Sequence, residues 1–168
     1  MKKIIFSIVL FTMASYAMGQ VAVSKLTVDG NSTLLDFYDQ ADNFRGIILP
    51  AVDVVPLTPV NGTFLFDRSD KKLKMYEGGV WVDLSGEGHD AGIITNNSLE
   101  TGKKTVMGDT ESAADGALVL ESPDKAMILP HIANPHTTVK SPYPGMMCFD
   151  TVSNALAIFD GLVWNYWK

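Results

Sequence analysis

Cysteine is almost absent. Cys148 stands alone in 168 residues, so an intrachain disulfide and a cysteine-built zinc cage are both excluded. Charge is also scarce, at 19% of residues. Cations are the scarcer sign, with 13 Lys and Arg against 19 Asp and Glu for a net charge of −6. A chain so balanced lacks the basic face that a phosphate backbone needs, which argues against nucleic-acid partners. Scarce charge beside a hydrophobic share of 46% is the opposite of a disordered composition. Long apolar runs are missing after the first twenty residues, so no membrane span is expected once that stretch is removed. Sustained helical periodicity is missing too; segments 34–41 and 112–120 are the places where a helical turn is conceivable.

The patterns of catalysis are equally thin. Gly102-Lys103-Lys104-Thr105 echoes the end of a phosphate loop, but the glycine required five positions earlier is Asn97. Gly86-Glu87-Gly88 lacks the spacing of a dinucleotide loop and reads as linker. His131 and His136 are five apart in a Pro-containing loop without nearby ligands to complete a metal site. His89-Asp90 is equally plain. No catalytic residue, cofactor or metal is assigned, and the chain is read as a non-enzyme.

The beginning of the chain reads as an address. Lys2 and Lys3 precede an apolar run over 4–13, and the small residues Ala14, Ser15, Ala17 and Gly19 follow. This order is that of a secretory signal peptide. Cleavage after Ala17 or Gly19 fits, with Gly19 preferred. The implied location is export, to the periplasm, the cell surface or the medium.

The remainder is one pattern written twice. Residues 62–84 read GTFLFDRSDKKLKMYEGGVWVDL and residues 145–167 read GMMCFDTVSNALAIFDGLVWNYW. At an offset of 83 the identities are Gly62/Gly145, Phe66/Phe149, Asp67/Asp150, Leu73/Leu156, Gly78/Gly161, Val80/Val163 and Trp81/Trp164. Upstream, GIILP at 46–50 matches AMILP at 126–130 at an offset of 80. The difference is a longer loop in the second copy, over 134–144. Within each copy short apolar alternations are separated by Gly, Asp and Asn turns, the signature of an all-β fold. Pro50 and Pro130 end the strands before them, since proline donates nothing to a ladder. Asp67 and Asp150 fall at strand-to-turn junctions, where aspartate accepts backbone hydrogen bonds. Cys148 occupies the slot of Leu65, which favours a packed thiol over a nucleophile. The expected organisation is a signal peptide (1–19), a β-meander or hairpin module (20–85), a Gly/Thr/Asn-rich linker (86–115) with Ile93-Ile94 and Thr105–Met107 as candidate strand edges, and a second such module (116–168).

The second copy runs ALVLESPDKAMILPHI, then PGMMCFDTVSNALAIFDGLVWNYW. It resembles tail-fibre-like β modules of secreted and surface proteins of Bacteroidota, over roughly 32–84 and 116–168. The arginine that usually follows Leu-Pro in those modules is Ala51 and His131 here. The resemblance implies a structural role, as a spacer or head unit in a fibre or adhesin that acts as an oligomer. Each copy holds only about 50 residues, too few for a robust core of its own. The expected partners are therefore further copies of the chain, with a trimer as one closed form, or a larger surface assembly.

The aromatic residues are the candidates for contact: Trp81, Trp164, Tyr166, Trp167 and Tyr143. Trp81 and Trp164 recur and read as packing residues. Trp167 and Tyr143 have no aromatic counterpart in the first copy, so they lead an alternative reading as a carbohydrate-binding or adhesion surface. Asn31, Asn61 and Asn96 open N-glycosylation patterns, expected to be silent in a chain of bacterial look. Asp150-Thr151-Val152 resembles an O-glycosylation motif of exported Bacteroidota proteins.

Overall fold

Alternation and turn chemistry build the molecule from very short strands. The computed structural model describes residues 19–94 and 104–168. Residues 1–18 of the stretch read as a signal peptide (1–19), the Asn96 pattern, Asn97, Gly102 and Lys103 lie outside the described residues. Within them the chain is nearly all β, with fourteen strands and one single-turn helix.

The first half contains β1 (Val21–Val23), β2 (Thr33–Phe37), β3 (Ile47–Ile48), β4 (Ala51–Val52), β5 (Phe64–Asp67), β6 (Lys72–Glu77) and β7 (Val80–Asp83). The second contains β8 (Thr105–Met107), β9 (Leu118–Leu120), β10 (Ala126–Met127), β11 (His131–Ile132), helix α1 (Pro135–Thr138), β12 (Met146–Asp150), β13 (Ala155–Phe159) and β14 (Trp164–Trp167). Strand β2 occupies part of segment 34–41, where a helical turn was conceivable, and β9 ends segment 112–120. In both, apolar residues meet a neighbouring strand, and that pairing overrides weak local preference. Strand β8 lies inside the segment read as linker.

A four-stranded sheet has the order β4-β5-β6-β7, and a five-stranded one has β11-β12-β13-β14 with β3 also on β12. Their registers correspond. Phe66 stands opposite Leu73 and Tyr76 opposite Trp81; Phe149 stands opposite Leu156 and Phe159 opposite Trp164. The short strands β4 and β11 enter in parallel, with Phe66 N–H donating to Pro50 C=O at 2.9 Å and Phe149 N–H to Pro130 C=O at 2.9 Å. The first turns hold Lys71 (φ 58°) and Asn154 (φ 51°) in the left-handed region, a conformation that asparagine tolerates better than lysine.

The two sheets face each other across one core. Leu49, Phe66, Leu73 and Leu84 from the first half pack with Met147 and Ile158 from the second, and Leu129 and Leu156 join them. Ile93, in the segment read as linker, also packs here without forming a strand. A smaller cluster, Ile132, Met146, Cys148 and Ala157, lies on the outer face of the second sheet, with Val139, Phe159 and Trp164 against it. Two parallel arrangements complete the fold: β1-β2-β10 and β8-β9.

Candidate functional site

Strand alternation distributes the aromatic residues over both faces of β14. Trp164 stacks at a tilt on Phe159, with ring centroids 5.5 Å apart, and Trp81 meets Tyr76 edge-on at 5.3 Å. Both tryptophans are half-buried parts of their own sheets. Tyr166 is 40% exposed, and its hydroxyl lies 3.0 Å from Nδ1 of His136 in α1. Trp167 is 44% exposed, and its Nε1–H donates to the Leu84 carbonyl at 3.0 Å. Tyr143 accepts a hydrogen bond from the Ile94 N–H at 2.7 Å. Of the two aromatics without a counterpart, Trp167 thus ties the second half to the end of the first, at Leu84, and Tyr143 ties it to the segment that follows, at Ile94. The structure does not gather the five residues into one pocket: Trp81 belongs to the other sheet.

That seam is close. His89 N–H donates to Asp160 C=O at 2.9 Å. A Cβ on Gly88 would stand 2.0 Å from the Asp160 carbonyl oxygen, and one on Gly161 1.8 Å from that of His89. Only glycine permits that approach of backbone to backbone.

The carboxylates are occupied with structure. Asp67 accepts from Ser69 N–H and hydroxyl and from Lys74 Nζ. Asp150 accepts from the N–H groups of Asn134 and Val152 and the Ser153 hydroxyl. Burial opposes both charges, and these donors outweigh it, holding each pKa below the ordinary value. The junction role read from the sequence is what the geometry shows. Burial pushes the Cys148 thiol up to about 12, with the Asp150 charge adding to the effect; such a thiol is a poor nucleophile. His131 packs on Phe149 while His136 meets Tyr166. Among the described residues no cluster of His, Cys, Asp or Glu could hold a metal ion. No helix among them is long and apolar enough to cross a membrane.

Sequence reasoning missed two features. Asp36, fully buried in β2, accepts from Lys25 Nζ at 2.9 Å and from the N–H groups of Asp29 and Phe37. Burial works against the Lys25 ammonium, but Asp29, Asp36 and Asp39 overcome it and raise its pKa. The signal was a carboxylate inside the apolar run TLLDF. The second feature is the pair of crossing strands. Met146 and Met147 of β12 stand opposite Ile48 and Ile47 of β3, and β10 lies along β2. Nothing in two-residue apolar strands advertises such partners. An open groove of about 650 Å³ beside them is lined by Val23, Tyr38, Asn43, Phe44, Arg45 and Pro130. Comparison with protein-family models, curated proteins and solved structures finds no match to this chain.

Proposed function

We propose that this chain is an exported, non-enzymatic structural or interaction protein that works by associating with itself or within a larger surface or fibre-like assembly. It is built from an internally duplicated β module. The equal registers of β5-β6-β7 and β12-β13-β14 support the duplication. The carrying observation is that each half is completed by a strand of the other: β3 adds to β12, and β10 adds to β2. A unit that takes its neighbour's strand is suited to repetition, because main-chain pairing asks little of side-chain sequence. The occupied carboxylates and the packed Cys148 agree with a protein whose polar groups maintain shape. The test is the absolute mass of residues 20–168 by light scattering on a sizing column. A stable multiple of the chain mass is expected; a monomer at every concentration overturns self-association.

A second reading, a carbohydrate-binding or adhesion surface, draws on the exposure of Tyr166 and Trp167 at the end of β14. Aromatic faces that remain open to solvent can stack on sugar rings. Binding on a glycan array that is lost in Trp167→Ala, with folding intact, supports it. Silence across a broad array overturns it.

A further inference from the structure

The two halves correspond strand for strand, but their edges are covered differently. Strands β3 and β10 are counterparts, and they use opposite edges. Beside β3, the Leu49 N–H donates to Gly145 C=O at 2.9 Å, so the edge carrying Ile47 and Leu49 faces β12. Beside β10, the Ala126 N–H donates to Ser32 C=O at 2.8 Å and the Ile128 N–H to Leu35 C=O at 2.9 Å, so the edge carrying Ala126 and Ile128 faces β2. Successive residues of a strand aim their backbone groups at opposite edges. The Gly46/Ile48 edge of β3 and the Met127/Leu129 edge of β10 therefore have no strand beside them among the described residues.

Burial follows the same division. Leu35 and Leu118 are counterparts, opposite Val21 and Thr105 in their parallel pairs. Leu35, under β10, is 2% exposed, whereas Leu118 is 45% exposed. Ile128, against β2, is partly buried, whereas Ile48 is 47% exposed. Gly145, Met146 and Met147, under β3, are buried; their counterpart Gly62 is exposed, and Thr63 and Phe64 are partly so. Each half lacks cover where the other half supplies it.

We propose that the chain associates head to tail with a second copy of itself by repeating the seam that joins its own halves. The Met127/Leu129 edge of β10 in one protomer lies antiparallel along 62–64 of the next. The Gly46/Ile48 edge of that next protomer lies parallel to β9 of the first. Unpaired strand edges beside exposed Ile48 and Leu118 are the surfaces that natural sheets otherwise protect. The contact is heterologous, so every added copy offers the same free edges again and the assembly either closes into a ring or extends as a fibre. One substitution limits the copying. A Cβ on Gly46 would stand 2.6 Å from the Met147 carbonyl oxygen, and Ala126 holds the corresponding place. The ladder between protomers therefore ends at Met127, opposite Phe64. This inference rests on the self-association proposed above and specifies its surfaces.

Within the chain Ile48 stands opposite Met146, so between chains Ile128 stands opposite Thr63. Thr63→Cys and Ile128→Cys are prepared separately in the chain 20–168, mixed and mildly oxidised. The expected product is a covalent dimer joined between residues 63 and 128, formed in the mixture and not by either variant alone. Buried Cys148 does not compete. Ile48→Pro removes a free N–H and is expected to weaken association roughly tenfold or more on dilution, with the tryptophan emission of the folded chain retained. An oligomer that forms no 63–128 link, or that Ile48→Pro leaves equally stable, overturns the seam while self-association stands. A monomer at every concentration overturns both.

Discussion

The two sheets share a core and turn opposite faces outward, and those faces are built on different principles. On the first sheet Lys74 Nζ lies 2.8 Å from Asp67 and 2.6 Å from Asp70, and Lys72 Nζ lies 2.6 Å from Asp83. On the second, the positions of Lys72 and Lys74 are taken by Ala155 and Ala157, both buried. Lysine covers a sheet with its stem and carries its charge out to water. Alanine reaches nothing, so an alanine face needs a lid. The loop over 134–144 supplies it: α1 brings His136 to Tyr166, and Val139 packs on the Cys148 cluster. Two sheets of matching register can thus have one outer face that stays wet and another that is closed.

The contrast is broken most severely by exchanging its key residue. Ala157→Lys places an ammonium where Ala157 is 0% exposed; a loss of roughly 4–5 kcal/mol is expected in denaturant titration. Lys74→Ala, the reciprocal change, is expected to cost far less. A second substitution tests what the halves share. Phe66→Ala empties the common core and is expected to cost about 3–5 kcal/mol, in one transition reported alike by Trp81 and by the tryptophans of β14. Separate transitions would mean that the halves fold independently.

Acid sharpens the comparison. Both Asp67 and Asp150 have folded pKa values below the ordinary 3.8. Their contribution is present above about pH 4 and is lost as pH falls through the lowered values. Asp67→Asn and Asp150→Asn are each expected to cost about 1–2 kcal/mol at neutral pH and to flatten that acid loss. Added salt should weaken the Asp67 contribution, which leans on Lys74, more than that of Asp150, which leans on N–H and hydroxyl donors. Equal salt dependence in the two variants would contradict this assignment. The smallest expected effect is at the seam: Trp167→Phe removes the bond to Leu84 C=O and should cost about 1 kcal/mol in thermal or denaturant melts.

Much of the architecture was legible from local chemistry. The alternation of Phe64 and Phe66 about Leu65, the turn at 77–79 and the aspartates closing each hairpin specify strands and reversals within a few residues. Of the site, Trp81 and Trp164 were singled out by their matching places in the sequence, and each meets an aromatic ring of its own sheet, Tyr76 and Phe159. The ties of Trp167 to Leu84 and of Tyr143 to Ile94 were not, because each joins residues far apart in sequence. Asp36 went unread although its carboxylate stands inside an apolar run, because its partner Lys25 lies in a different segment of the chain.

The sequence by itself determined the all-β class, the matching hairpins and their turns, because each depends on neighbours along the chain. Tertiary structure decided which edge each Leu-Pro strand presents. Ile47–Ile48 and Ala126–Met127 are short apolar stretches with two equivalent edges, and strands of two residues hold too few side chains to specify a register. Their choice follows from the whole: the shared core places β12 beside β3 and β2 beside β10, and the backbone groups pair with whatever strand is brought within reach.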